Sequence, residues 1–403
     1  MRLHPLVFAC ASALIATGCG ESSSQSQGED FGSPSQPVQT DFDQNQLLES
    51  VVDQVILPTY QQFQADLIHQ QDSVAAYCQA LSSSGDTDTT LDQAREDWRT
   101  VMSDWQQAEL MQIGPLTDNS STLRNRIYSW PNTSACSVDQ EVMLSREEGY
   151  DISLRTNSRR GLDALEYLLF NEDLNHQCTI AGTEPDGWLD LTDDQKRQAR
   201  CDFAEIVVSD LKNSADELVE QWQGESGYGF RLKNAGLPDS IYATAHEAVN
   251  EVSDALFYIT ETTKDAKLAT PLGLFANDCG AEPCADNVES QYANHSIENI
   301  HANLTGLLHM LQGGMDAESG IGFDDYLNDV GDSETAERLL GDLQMAINNT
   351  EGFDASLAEA LQNNPDSVEA LHGEVKKVTD TMKSDFINSL ALELPETSAG
   401  DND

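Results

Sequence analysis

The sequence predicts an all-α protein built as two packed helical bundles. Apolar residues recur at helical spacing through long runs, as in Val55, Ile56, Tyr60, Phe63, Leu67 and Val74. Nowhere do several alternating, β-branched segments follow one another, so a substantial sheet is not expected. The long helical runs are joined by short connections, which favours antiparallel neighbours. At 403 residues the chain has room for one large domain or two ordinary ones.

Residues 1–18 read as a targeting segment and are set apart from the fold. Arg2 gives the positive start, residues 6–15 the apolar core, and Ala16-Thr17-Gly18-Cys19 is similar to a bacterial lipobox with Cys19 as the lipidated residue. A plain secretory signal is the alternative. Gly20 follows Cys19, without the Asp of inner-membrane retention, so the expected location is the outer membrane, facing the periplasm. Residues 19–45, rich in Ser, Gln, Gly and Pro, read as a flexible tether. Contact with the membrane is expected through the lipid alone, because no other run approaches the ~20 apolar residues of a spanning helix.

A helix is expected over residues 46–81, interrupted near Pro58. A second carries Leu91, Trp98, Val101, Trp105 and Leu110 and stops before Gly114-Pro115. Trp98 and Trp105 lie one heptad apart, a core spacing. Residues 114–157 are loop-rich, with a turn at Trp130-Pro131. Residues 158–170 form an apolar helix that Asn157 or Ser158 could cap. Residues 171–192 read as a loop, and Thr192 or Asp193 opens a long helix through Trp222. A glycine-rich break at 224–238 precedes a helix over 240–267, which Pro271-Leu272-Gly273 ends. Further helices are placed at 296–312, 333–349, 354–363 and 366–391, before a polar tail at 396–403. The first bundle is assigned to residues 46–190 and the second to 191–395.

Lys and Arg total 21 against 70 Asp and Glu, a net charge of −49. Such a surface repels nucleic acid and anionic headgroups, which excludes both as main partners. Cys10 leaves with the signal and Cys19 is the anchor, so Cys78, Cys136, Cys178, Cys201, Cys279 and Cys284 remain. In an exported chain these suggest three disulfides, and the absence of CxxC argues against a zinc ribbon. The pairing expected is Cys279–Cys284 and Cys178–Cys201, each closing a loop, with Cys78–Cys136 left over.

The most informative conflict lies in the helix over 158–170. It is apolar nearly all round, yet Asp163 and Glu166 stack three residues apart on one face. Buried carboxylates must be paired, hydrogen-bonded, protonated or bound to a cation. A structural role pairs them with Arg159, Arg160 or a cation from the other half. A functional role makes them oxygen ligands, which suit hard cations such as Ca²⁺ or Fe³⁺ better than Zn²⁺. Two carboxylates do not complete a coordination shell; Glu109, His246 and Glu247 are placed as further candidates.

Several ordered landmarks carry a family resemblance. They are Val55-Ile56-Leu57-Pro58-Thr59-Tyr60, the run from Arg95 through Trp98 and Trp105 to Gly114-Pro115, Trp130-Pro131, Gly161-Leu162-Asp163-Ala164-Leu165-Glu166, Pro271-Leu272-Gly273, and residues 296–308. Over roughly residues 50–390 the chain resembles the imelysin-like family, also called the insulin-cleaving metallopeptidase family. The resemblance implies two helical halves with a functional site between them. It also implies an envelope protein, often a lipoprotein, tied to iron or haem uptake. The family signature is Gly-x-His-x-x-Glu; Gly161 and Glu166 match it, and Asp163 stands at the His position. That replacement removes a nitrogen ligand.

Peptidase chemistry finds weak support in the residues. HExxH is absent, and His246-Glu247 has Asn250 where a second His would stand. His295, His301 and His309 do not share a helix-face spacing. Haem would require an axial ligand, for which Tyr167 and His246 are candidates. The expected function is therefore binding of iron, another cation or haem in a cleft between the bundles, as part of iron uptake with an envelope transport partner. The alternatives are a metallopeptidase and an acidic interaction module. The oligomeric state is not encoded in any pattern of the sequence.

Overall fold

A computed structural model describes residues 40–395, apart from 84, 239, 317 and 318, together with residue 398. The signal segment, Cys19 and nearly all of the polar tail lie outside the described residues. Among the described residues no strand forms and helices dominate. They are α1 (Gln44–Ser50), α2 (Leu57–Ser83), α3 (Thr87–Ala108), α4 (Asp118–Ile127), α5 (Ala135–Leu144), α6 (Gly161–Phe170) and α7 (Asp193–Trp222). There follow α8 (Tyr228–Lys233), α9 (Ala245–Leu256), α10 (Thr270–Leu272), α11 (Ser296–Gln312) and α12 (Phe323–Asp329). The chain closes with α13 (Ser333–Glu351), α14 (Leu357–Asn363), α15 (Pro365–Thr381) and α16 (Ile387–Leu390).

The fold begins before residue 46. Asp43 caps α1 by accepting from the backbone N–H of Asn45 and Gln46, and Phe42 stacks on Tyr326 at 4.6 Å. Residues 42–45, expected to belong to the tether, are therefore part of the fold. Pro58 does not stop the helix. Its missing N–H is absorbed by a π-helical stretch, Val51–Ile56, in which the Leu57 N–H reaches Val52 O, and α2 then runs on through Ser83. A second π stretch, Ile259–Ala269, divides the helix expected over 240–267, and α9 starts at Ala245 under a Thr244 cap.

Beyond the division expected at residue 190, α7 lies along α2 and also touches α4, α5 and α6, so this helix packs with the helices of the first half. Its opening does follow the sequence: Thr192 accepts from Gln195 N while the Gln195 side chain accepts from Thr192 N. The second bundle packs α11 on α13, α13 on α15, and α15 on Ile259–Ala269. The seam between the halves is α3 against α11. Gly306 makes that approach possible, since a Cβ there would stand 2.8 Å from Gln107 O.

Trp98 and Trp105 are fully buried and pack edge-on or tilted against Phe170 and Phe63, as core spacing implies. Trp98 also donates Nε1–H to Leu162 O at 3.0 Å, fixing α3 to the start of α6. Truncating such a side chain costs roughly 3–5 kcal/mol.

Disulfides form between Cys78 and Cys201, Cys136 and Cys178, and Cys279 and Cys284. Only the last follows the expected pairing. Cys178 reaches back to Cys136 at the start of α5, and Cys201 on α7 faces Cys78 because α2 and α7 lie side by side.

Candidate functional site

The ten residues of α6 are all buried, and the helix starts without a side-chain cap. Neither Asn157 nor Ser158 serves; both lie in a 3-10 turn, and Arg160 occupies the cap position. Gly161 is required at the first position. Its φ is +92°, and a Cβ there would fall 2.8 Å from Ile127 O. This tight entry lowers α6 onto residues 126–129 and brings Asp163 to Ser129.

Asp163 and Glu166 line one cavity of about 340 Å³. The first half contributes Tyr128, Trp130 and Tyr167 to its wall, and the second contributes Thr270, Ser290 and Tyr292. Asp163 Oδ2 accepts from Ser129 Oγ at 3.0 Å, and Oδ1 from Ser129 N at 3.4 Å. Glu166 Oε1 accepts two backbone N–H groups of the opposite half, Tyr292 and Ala293, each at 2.9 Å. Glu166 Oε2 has no hydrogen-bond partner among the described residues.

Among the described residues no ion pair is formed by either carboxylate. Arg159 pairs with Glu141 at 2.6 Å, and Arg160 is spent on Asp210. Neither Arg159 nor Arg160 is therefore the partner of Asp163 or Glu166. Burial pushes Asp163 up to about 7 against the pull of Ser129. Burial likewise pushes Glu166 to about 8, with the Asp163 and Glu289 charges adding to it and the two backbone donors opposing. Burial thus holds both carboxyls above the ordinary carboxylate range.

The other candidate ligands lie elsewhere. Glu109 is fully buried but compensated: Lys267 Nζ stands 3.1 Å from Oε2, and Arg124 3.6 Å from Oε1. Lys267 also reaches Glu289 at 3.1 Å and Asn303 at 2.8 Å, in a buried network at the seam. His246 contacts Gln44 at 3.2 Å and the Ala391 carbonyl at 3.1 Å, away from the cavity wall. Glu247 is exposed and accepts from Ala243 N at the start of α9. The Tyr167 hydroxyl is engaged by Asp139 at 2.9 Å and Arg200 at 3.2 Å. His295, its pKa lowered to about 4 by burial, sits beneath Trp98, while His301 bonds Thr350, so these histidines do not converge. Among the described residues no three His, Cys, Asp or Glu side chains form a metal-holding group.

The sequence reading missed Tyr128, Ser129, Glu289 and the amides of Tyr292 and Ala293. Tyr128 donates its hydroxyl to Glu289 at 2.7 Å, while Ser129 serves Asp163. A lysine inside the apolar run around Leu268 was the available signal for the seam network.

A family model described as Imelysin matches residues 56–383. Iron-regulated protein A of Synechococcus elongatus is 28% identical over 272 residues, covering 67% of this chain and 64% of that relative's length. The crystal structure of an imelysin-like protein from Psychrobacter arcticum superposes with a TM-score of 0.67 at 17% identity, over 88% of this chain and 99% of that one. The crystal structure of a protein from Parabacteroides distasonis described as an iron-regulated protein A precursor gives 0.65 at 16% identity, over 85% and 95%. These two likenesses bear on the fold, which they share across both bundles. With the family model spanning most of its length and the altered signature helix lying inside the match, the chain belongs to the imelysin family.

Proposed function

We propose that this chain is an envelope lipoprotein, anchored through Cys19, that captures a hard cation, iron foremost, at the cavity between its halves as part of iron uptake. The observation that carries the reading is two buried carboxylates, Asp163 and Glu166, lining one cavity with no ion-pair partner among the described residues. A positive charge entering there replaces protons and regains the Coulomb energy that burial withholds. Oxygen donors of this kind favour Fe³⁺, Fe²⁺ or Ca²⁺ over softer ions. Two carboxylates leave most of the coordination shell to the Ser290 hydroxyl in the cavity wall and to water. The cavity has room for this, since one water takes about 30 Å³. A hydrated or chelated ion fits better than a bare one. The name of the Synechococcus elongatus relative supports the link to iron. Delivery to a transport partner in the envelope completes the proposed role.

The test is calorimetric titration of the mature chain with Fe²⁺, Fe³⁺ as a labile chelate, Ca²⁺ and Zn²⁺. The Asp163→Asn/Glu166→Gln variant serves as comparison. One saturable site is expected in the native chain and none in the variant. Binding should release protons, seen as an enthalpy that changes with buffer, and should tighten by up to about tenfold per pH unit for each proton released. Weak, multiple binding identical in both proteins would reduce the metal to counterions of an acidic surface and remove the reading.

A further inference from the structure

We propose that a second cavity, beside the Cys78–Cys201 disulfide, is a binding site for a small oxyanion, a carboxylate or a phosphate. The cavity measures about 270 Å³ and gathers Arg95, Arg197 and Arg200 around Tyr77, with Glu172 as its one acidic wall residue. In a chain with 21 basic and 70 acidic residues, three guanidinium groups on one small cavity run against the composition. The fold builds the cluster deliberately. Arg197, Arg200, Cys201 and Ala204 share one face of α7, and Arg95 on α3 closes the opposite wall.

Part of this positive charge serves the fold. Arg95 Nε donates to Leu169 O at 2.9 Å and Arg200 Nη1 to Asn171 O at 3.0 Å, satisfying carbonyls at the end of α6. Arg200 is further held by Asp139 and the Tyr167 hydroxyl and lies over the Tyr167 and Trp188 rings, whereas the ion pairs of Arg95 and Arg197 are weak. Arg95 meets Glu172 at 3.3 Å, but that Glu side chain is 83% exposed. Arg197 meets Asp194 at 3.2 Å, where the Asp is 98% exposed. Solvated pairs of this kind contribute little and exchange readily. Arg200 is nearly fully buried, and its Nε has no partner among the described residues. Its buried partner Asp139, at 3.4 Å, already accepts from Tyr167 and Gln177 N.

All three arginines also act on one point. Burial raises the Tyr77 hydroxyl, and Arg95, Arg197 and Arg200 each pull it back. An oxyanion beside that hydroxyl would meet the same convergent field. Leu91, Leu168 and Leu174 supply apolar walls that strengthen the interaction by excluding water. Guanidinium forks match carboxylate and phosphate geometry equally, so the chemistry admits either anion.

The experiment titrates the mature chain with inorganic phosphate and, separately, succinate, in low-chloride buffer, by calorimetry. Saturable one-site binding of at least one anion is expected, and which one binds names the source. Arg197→Gln should weaken it severalfold and Arg95→Gln/Arg197→Gln by about tenfold or more. Because Arg197 is half exposed, its single variant decides the matter should the double variant not fold. The Asp163→Asn/Glu166→Gln variant should bind the anion as the native chain does; loss there would move the anion to the inter-half cavity and overturn the proposal. No saturable binding of either anion below about 10 mM, or binding indifferent to the arginine changes, would overturn it as well.

Discussion

Two clusters of buried acid lie at the interface between the halves, and they are balanced in opposite ways. Glu109 and Glu289 share Lys267 at 3.1 Å each, with Arg124 nearby and Asn303 completing the lysine's shell. Among the described residues, Asp163 and Glu166 receive neutral donors, from Ser129, Tyr292 and Ala293. The same short segments supply both. Tyr128 turns to Glu289 while its neighbour Ser129 turns to Asp163, and the loop bearing Glu289 also brings the amides to Glu166. Location therefore does not separate the clusters; charge compensation does. The balanced cluster holds the seam, and the unbalanced one leaves a demand for positive charge that a ligand can meet.

The largest effect of a single substitution is expected on the balanced side. Lys267→Met leaves two acids buried without their cation, and urea denaturation should show a loss of about 3–5 kcal/mol. A loss below 1 kcal/mol would mean that the acids protonate freely and that the contrast is weaker than drawn. On the unbalanced side the effect depends on pH. Folded-state values of about 7 for Asp163 and about 8 for Glu166 lie above those of the unfolded chain. The fold therefore binds more protons, and stability is present at low pH and lost as pH rises from the unfolded values through the folded ones. Asp163→Asn/Glu166→Gln should remove that decline, on the order of 6 kcal/mol for the two groups between pH 5 and 8. Parallel pH profiles for native and variant chains would sink the assignment. The smallest change is Ser129→Ala, which takes one hydroxyl donor from Asp163. It should cost about 1 kcal/mol, felt mainly above pH 7 where the carboxylate is charged. An equal cost at pH 5 would mean that the serine packs rather than solvates.

Much of the frame was legible because its signals are local. Periodicity marked α2, α3 and α7, Thr192 is one of the two residues expected to open α7, and residues 296–312 emerged as α11. Asp163 and Glu166 stood out because charge inside an apolar helix is a local contradiction. What escaped was set by distant packing. The seam lysine, the Ser129 donor and the amides of the loop after Glu289 meet α6 only when the halves dock. Cys78 and Cys201 are 123 residues apart, and only the lie of α7 along α2 makes them partners. His246 and Glu247 were chosen by type and proximity to a helix start, which carries no information about direction.

The division of labour within the Glu166 carboxylate has a consequence for assembly. One oxygen clasps two amides of the opposite half, and the other is left without a hydrogen-bond partner among the described residues. The cavity is thus a product of docking: a first bundle expressed alone would carry the signature helix but no second wall. A ligand bound through the open oxygen would leave the clasp intact. Loading would then tighten the joint between the halves without first having to pry it apart.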